Sequence, residues 1–487
     1  MRVAGAGLLA AAIAMILSAA VAVLDGGGGA RGLLLSALLT GLAGVVLFFG
    51  SRVSATADSA LAFASVAWSW LAVSLAGSLP FLLTGVIPWG QFDNALFESI
   101  SGFTCSGSTI LVNFDAVPQG VLFYRSLTQW LGGMGLVVLA VAVLPALGIG
   151  GLDLIASEAP GPTADRLTLR VRDTARQLWL LYGAMTGALT LVLLTIGMSA
   201  FDAVTHAFTT ISTGGFSPHA ESIAYFDSFT IELILMVGML LSGASFSIHW
   251  HALRQGIGAY RRVSEVRWYL SLVFGAFGML VWVNLGELGW LQNLRESLFY
   301  AVSLGSNTGF GNSDFVLWMP AAHLLLLVLM LVGGMSGSTA GGMKVLRLQV
   351  VFKYSFRELM RARHPNSVIP IRLGRTTIEE QIAAKVVGFV LLYLGLILAG
   401  GVILSGLGVD LVTAFSGSAS ALGNVGPALG EAGPTSNFLV FPRAGRIVLM
   451  AMMALGRLEL FPAMLMLVAS LRGLDRSRLR RDRERSQ

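Results

Sequence analysis

Four short segments of the chain share a pattern of small and hydroxyl-bearing residues that ends in glycine. They read Phe97-Glu-Ser-Ile-Ser-Gly-Phe-Thr-Cys-Ser-Gly107, Val204-Thr-His-Ala-Phe-Thr-Thr-Ile-Ser-Thr-Gly214, Phe299-Tyr-Ala-Val-Ser-Leu-Gly-Ser-Asn-Thr-Gly309 and Ser416-Gly-Ser-Ala-Ser-Ala-Leu-Gly-Asn-Val-Gly426. Aligned on the last glycine, Ser106, Thr213, Thr308 and Val425 precede it, and Cys105, Ser212, Asn307 and Asn424 stand one position earlier. The chemistry this suits is coordination of a dehydrated monovalent cation by backbone carbonyls, which needs a non-helical backbone with little side-chain bulk. Four such loops around one axis would supply rings of neutral oxygens in place of the hydration shell, binding weakly enough to release the ion. No Asp or Glu occupies the three columns, so the carboxylate ring that suits a divalent ion is excluded. Small residues also serve as helix-packing surfaces in membranes, but packing alone does not account for four aligned copies recurring roughly every hundred residues.

The elements that position these segments follow from composition. Of 487 residues, 55% are hydrophobic and 12% charged, against roughly 25% charged in a soluble domain. This pattern excludes a soluble protein and predicts an all-α integral membrane protein. Crossing about 30 Å of hydrocarbon takes about 20 apolar residues, and such runs lie near 3–24, 32–50, 60–86, 120–149, 177–199, 228–251, 268–288, 318–350, 381–406 and 443–470. The first run lacks the small-residue cleavage pattern of a signal peptide before Asp25 and is kept as a span. The glycine-bearing stretches are too short to cross, so they predict re-entrant loops buried by protein or lined by water. The expected architecture is an N-terminal two-span hairpin (1–55), then helix/pore-loop/helix repeats at 56–150, 151–265, 266–352 and 379–472 around one central pore. A basic cytoplasmic loop (353–378) and a basic cytoplasmic tail (473–487) complete it. The only cysteine, Cys105, forbids an intrachain disulfide.

Arginine-rich segments at 166–176, 254–267, 353–375 and 472–485 fall on one side of this layout, the cytoplasmic side by the positive-inside rule. The last reads as a tail facing membrane lipid, with a docking site as the alternative. The formal charge of +6 therefore needs no nucleic acid partner. The opposite loops carry Asp93, Asp115, Glu221, Asp227, Asp314 and Glu431, which predicts a cation-attracting outer mouth.

Residues 333–343 place five glycines and three hydroxyls inside an otherwise apolar run, where a helix should break. Close helix packing is the alternative use of such residues. Arg457 falls about half-way along the last run, a costly place for a charge and therefore a functional candidate. An ion pair with Glu459 or snorkelling are its structural alternatives. His206 and His219 border the second segment and read as ordinary hydrogen-bonded histidines, with a proton relay as the alternative, and the i, i+2 spacing of His249 and His251 does not put two metal ligands on one helix face.

Thr210-Ile-Ser-Thr-Gly-Gly-Phe-Ser217, Gly305-Ser-Asn-Thr-Gly-Phe-Gly311, Ala421-Leu-Gly-Asn-Val-Gly-Pro427, Gln129-Trp-Leu-Gly-Gly-Met-Gly135 and Gly333-Gly-Met-Ser-Gly-Ser-Thr-Ala-Gly-Gly-Met-Lys344 resemble signatures of the Trk/Ktr/HKT superfamily of potassium transporters, on its TrkH branch. The resemblance implies that Gly107, Gly214, Gly309 and Gly426 are selectivity-filter glycines and that backbone carbonyls at these and the preceding two residues of each segment hold K⁺. Cys105 and Ser106 stand where the family usually has threonines. It also implies a gating loop (Gly333, Gly334, Ser336, Gly337, Ser338, Thr339, Gly341, Gly342) blocked against a pore arginine, Arg457. K⁺ is then the permeant ion, with no covalent cofactor. The implied partners are a second copy of the chain and a TrkA-type cytosolic ring binding NAD or adenine nucleotides, all at a bacterial inner membrane. No paired catalytic residues at membrane depth point to an enzyme. The rival expectation is a K⁺ symporter coupled to H⁺ or Na⁺, which would call for a titratable midplane residue and inverted repeats.

Overall fold

Apolar runs fold as helices because hydrocarbon offers backbone groups no partner except one another. The computed structural model describes residues 1–51, 59–142, 167–364, 366–367, 369–374 and 376–458. Helices α1 (Arg2–Leu24) and α2 (Ala30–Gly50) form a hairpin turned by Gly26, Gly27 and Gly29, all at positive φ. The two helices approach closely where Gly5 lies against the backbone of Gly44 and Phe48.

A helix, a short helix and a second helix then recur four times. The first set is α3 (Ser59–Gly77), with α4 (Leu79–Leu83) continuing it, then α5 (Phe92–Thr104) and α6 (Gln119–Ala142). The second is α7 (Leu167–Thr195), α8 (Ala200–Ile211) and the bent pair α9 (Phe229–Ser242) and α10 (Phe246–Gln255), followed by the short α11 (Gly258–Arg262). The third is α12 (Ser264–Val283), α13 (Trp290–Gly305) and α14 (Pro320–Val332), followed by a loop and α15 (Val345–Arg363). The fourth is α16 (Glu380–Gly406), α17 (Leu411–Gly423) and α18 (Arg443–Arg457).

Among the described residues, α1, α2, residues Asp173–Thr195 of α7, α12 and α16 are each long and apolar enough to cross a bilayer. Outward-facing rows such as Leu391, Leu394, Leu398 and Val402 on α16 stay exposed, as a lipid-facing surface does. The run at 228–251 is not the single span expected: α9 and α10 meet at 96°. The break at 243–245 is held open by the third repeat, since Met335 N–H donates to the Gly243 carbonyl at 2.8 Å and Phe246 N–H donates to the Gly337 carbonyl at 3.1 Å. The run at 318–350 breaks at 333–344, as the glycine content predicts. The ends of the runs at 120–149 and 443–470, Arg166, Glu459 and the tail at 472–485 lie outside the described residues.

The basic loop contains a two-stranded hairpin that the all-α reading did not foresee. Strands β1 (Ile371–Leu373) and β2 (Thr376–Ile378) pair antiparallel, with Ile371 opposite Ile378. Ile371, Leu373 and Ile378 pack with Leu346, Val350, Ala383 and Val386 into a small core between α15 and α16.

Candidate functional site

The short helices α5, α8, α13 and α17 converge and end in one motif. The amides of Ser106, Gly214, Thr308 and Val425 donate to the carbonyls of Ser101, Thr209, Ser303 and Ser420 at 2.9, 2.8, 2.9 and 3.0 Å. Those of Cys105, Thr213, Asn307 and Asn424 reach back to Gly102, Thr210, Leu304 and Ala421. This is the Schellman pair of bonds, with a left-handed residue just past the helix. That residue is Cys105, Thr213, Asn307 or Asn424, at φ 54, 51, 57 and 53°. Each helix thereby turns its C-terminal carbonyls, the negative end of its dipole, toward a common centre.

These bonds correct the alignment of the second segment by one residue. Thr213, not Ser212, is equivalent to Cys105, and Gly215, not Gly214, is equivalent to Gly107, Gly309 and Gly426. Gly107, Gly215, Gly309 and Gly426 all have positive φ (80, 76, 79 and 113°), whereas Gly214 does not. The doubled glycine at 214 and 215 hid the register, because an alignment on glycine alone fits either one.

The four glycines close a ring. A side chain on Gly107 would overlap the Gly214 carbonyl, one on Gly215 the Thr308 carbonyl, one on Gly309 the Val425 carbonyl, and one on Gly426 would reach the Ser106 carbonyl. Each segment's carbonyl thus occupies the space of the missing side chain on a neighbouring segment, in the order one, two, three, four and back to one. The ring floors an outer vestibule of about 200 Å³, lined by Gly107, Gly215, Gly309, Gly426 and residues that follow them in each segment.

Side chains behind the ring hold it. Gln129 of α6 donates from Nε2 to the Gly214 carbonyl at 2.7 Å and accepts at Oε1 from Phe216 N–H at 3.0 Å. Gly132 and Gly133 on α6 have no room for side chains against Phe103 and Ser212, which lets the helix lie directly on the first two segments. Glu98 and Arg125 form a buried ion pair at 2.7 Å, with side-chain exposures of 0% and 1%. Glu98 also accepts from Thr109 Oγ1 and Ile110 N–H, while Arg125 donates to the Ser217 carbonyl at 3.2 Å and lies 4.0 Å over the Phe216 ring. This pair ties the first segment to the second. Its sequence signal was two opposite charges inside apolar stretches, which the glycine pattern overshadowed.

The loop at 333–344 sits on the other side of the ring, against residues that precede the glycines. Its ends are stitched together by Met343 N–H to Leu331, Lys344 N–H to Val332 and Val345 N–H to Gly334, at 3.0, 2.8 and 3.0 Å. Between them, Thr339 Oγ1 donates to the Ile211 carbonyl at 3.0 Å, Gly341 abuts the Gly423 carbonyl and Gly333 abuts Asn307. Glu265 of α12 clamps the loop, accepting at Oε1 from Ser336 N–H at 2.7 Å and Leu346 N–H at 3.1 Å. Gly333, Gly337 and Gly342 have positive φ, while Gly334 and Gly341 are pressed against backbone. Ser338 Oγ bonds the Met335 carbonyl at 2.6 Å within the loop.

Arg457 is 1% exposed and reaches this junction. Nη1 donates to the Thr339 carbonyl at 2.9 Å, and Nη2 to the Gly132 carbonyl at 2.9 Å and to Cys105 Sγ at 3.1 Å. Its described partners are all uncharged.

His206 bonds Ser217 Oγ at 3.1 Å and the Asp202 carbonyl at 2.8 Å, and His219 bonds Asp202 Oδ1 at 2.8 Å, so both are ordinary bonded histidines. His249 lies between Tyr260 Oη and the Leu241 carbonyl. Among the described residues no group of His, Cys, Asp and Glu has the makings of a metal site. The outer acids are partly neutralised: Asp93 pairs with Arg443 and Arg446 at 2.6 and 3.1 Å, and Asp227 with Arg295 at 3.3 Å, while Asp115, Glu221 and Glu431 stay exposed.

The family profile of TrkH, cation transport protein, matches residues 36–276 and 286–472. The Trk system potassium uptake protein TrkH of Halomonas elongata is 42% identical over 404 residues, covering 82% of this chain and 83% of that protein. The Escherichia coli K12 protein of the same name is 38% identical over 404 residues, with the same coverage. The crystal structure of the potassium transporter TrkH from Vibrio parahaemolyticus superimposes with a TM-score of 0.87 at 33% identity, over 96% of this chain and 98% of that one. The chain is a multi-pass membrane protein that belongs to the TrkH family of cation transport proteins.

Proposed function

We propose that the chain conducts K⁺ into a bacterial cell across the inner membrane, through a filter formed by the ring of Gly107, Gly215, Gly309 and Gly426. The observation that carries this reading is the ring itself, with one segment from each repeat, a vestibule above and a glycine-rich loop below. The names of the similar proteins, potassium uptake proteins and a potassium transporter, support the choice of ion. The carbonyls of Cys105, Ser106, Thr213, Asn307, Thr308, Asn424 and Val425 join those of the glycines as ligands, while that of Gly214 is taken by Gln129. Neutral oxygens suit a monovalent ion that must both bind and leave.

The loop at 333–344 is the gate, and Arg457 holds it shut while raising the electrostatic barrier below the filter. A second copy of the chain and a TrkA-type cytosolic ring binding NAD or an adenine nucleotide are the proposed partners. That ring would open the gate by drawing on α15, which continues directly from the loop, and on the β1–β2 hairpin packed against it.

The test is ⁸⁶Rb⁺ uptake into K⁺-loaded proteoliposomes containing the purified chain, beside Gly309→Ser and with Na⁺ as competitor. Flux that K⁺ blocks, that Na⁺ blocks less well and that the substitution weakens is the expected result. Flux that requires an imposed H⁺ or Na⁺ gradient would replace the channel with a coupled symporter.

A further inference from the structure

Gly214 is the odd member of its column. The other segments have Ser106, Thr308 and Val425 there, and the backbone at Gly214 does not lie at positive φ, so no conformational demand requires glycine. A Cβ at 214 would instead overlap the amide group of Gln129. Gln129 is fully buried, and its two hydrogen bonds fall on the two peptide units that flank Gly215. One takes the carbonyl of the 214–215 peptide and the other takes the N–H of the 215–216 peptide.

We propose that Gln129 is a positioning residue for ion selectivity, and that residue 214 is glycine to admit it; this rests on the filter reading above. Glycine's backbone is the most permissive of any residue, so a filter glycine needs its peptides held from outside. In the fourth segment a serine of the short helix holds such a peptide, and in the first and third the equivalent serine holds the peptide one residue farther on. Ser101 Oγ donates to the Ser108 carbonyl at 2.5 Å, Ser303 Oγ donates to the Phe310 carbonyl at 2.7 Å, and Ser420 Oγ accepts from Gly426 N–H at 3.2 Å. The equivalent residue of the second segment is Thr209, whose hydroxyl bonds back to Thr205 and His206 in its own helix. In the second segment the Thr209 hydroxyl stays within its own helix, and Gln129 of α6 holds both peptides that flank Gly215. A trans peptide points its N–H and C=O in opposite directions. With Phe216 N–H turned to Gln129, the Gly215 carbonyl therefore points away from α6.

The experiment measures ⁸⁶Rb⁺ and ²²Na⁺ uptake by the purified full chain in proteoliposomes. Gln129→Leu removes both bonds, and the Rb⁺-to-Na⁺ flux ratio is expected to fall about ten-fold or more, two hydrogen bonds being lost. Gln129→Glu keeps an acceptor for Phe216 N–H and should fall between. Gly214→Ser, which restores the residue type of the first segment, should lose selectivity alone and regain part of it in combination with Gln129→Ala. A purely structural role would lower the yield or the melting temperature and leave the flux ratio unchanged. A folded Gln129→Leu with the wild-type ratio overturns the inference. If that variant does not fold, a Gly214→Ser chain with the wild-type ratio overturns it equally. Wild-type flux with no preference for Rb⁺ over Na⁺ would instead overturn the filter reading itself.

Discussion

Arg457 donates to the Thr339 carbonyl at 2.9 Å, so a charge on the last described helix holds the tip of a loop from the third repeat. The same guanidinium bonds the Gly132 carbonyl and Cys105 Sγ, linking the loop to the first segment of the ring. Replacing Arg457 by Gln shortens the reach and removes the charge. Each lost charge-assisted bond is worth about 1.5–3 kcal/mol, enough, on the proposed gating role, to shift the closed loop about ten-fold or more toward open. Rb⁺ flux without any regulatory partner should therefore rise. Unchanged or lower flux from a folded Arg457→Gln chain would remove Arg457 from the gate.

The buried Glu98–Arg125 pair makes a different prediction, about stability. Changing Glu98 to Gln leaves an uncompensated charge on Arg125 at 1% exposure. Breaking a buried pair from one side typically costs about 3–5 kcal/mol, so the melting temperature in detergent should drop sharply. Replacing both residues together, Glu98→Leu with Arg125→Met, should cost less than the sum of the two single changes. Additive losses would mean that the two side chains act independently.

The parts of this site that were legible in the sequence are those that repeat. Four glycines preceded by small residues announced the ring, and the glycines at 333–342 announced the broken span, because glycine's role is set by its own backbone. What stayed hidden depended on distant partners. The one-residue register at Gly214 and Gly215 shows only in the helix-end bonds of Thr213 and Gly214 and in the contact with Gln129, 85 residues away. The bend in the run at 228–251 is decided by carbonyl and amide partners on the loop at 333–344, which apolar periodicity does not register. The β1–β2 hairpin is held by Leu346 and Val386 on two different helices. Arg457 was visible as a charge in an apolar run, yet its partners are carbonyls and a thiol, which no charge pattern identifies.

Acid should weaken the outer side first. Hydrogen bonding from Arg443 holds the Asp93 carboxyl down at about 2, with burial opposing and Arg446 adding to the effect. A carboxyl depressed in the folded state contributes stability above its unfolded value, 3.8, and that contribution is lost as pH falls through the folded value. The contacts of Asp93 with Arg443 and Arg446, which join the first short helix to α18, should thus weaken between about pH 4 and pH 2. Thermal melts across that window should lose this component in Asp93→Asn. An Asp93→Asn profile that falls as steeply as the wild type would assign the acid sensitivity to other groups.

The ring itself predicts that small changes at its members act out of proportion to their size. At Gly107 a methyl group would meet the Gly214 carbonyl, and φ is +80°, so Gly107→Ala adds left-handed strain of about 1–2 kcal/mol to an overlap with backbone that has nowhere to go. The second segment must move away, and with it the carbonyls it shares with the third, because each segment abuts another around the circle. Gly388→Ala is the control: it lies in α16 with nothing within 4 Å of its would-be Cβ, and alanine is the better helix former by about 1 kcal/mol. Gly388→Ala should leave Rb⁺ flux and the Rb⁺-to-Na⁺ ratio at wild-type values, whereas Gly107→Ala should lose most flux or most discrimination while remaining folded. If Gly107→Ala retained both, the close approach of Gly107 to Gly214 would have no part in holding the ion.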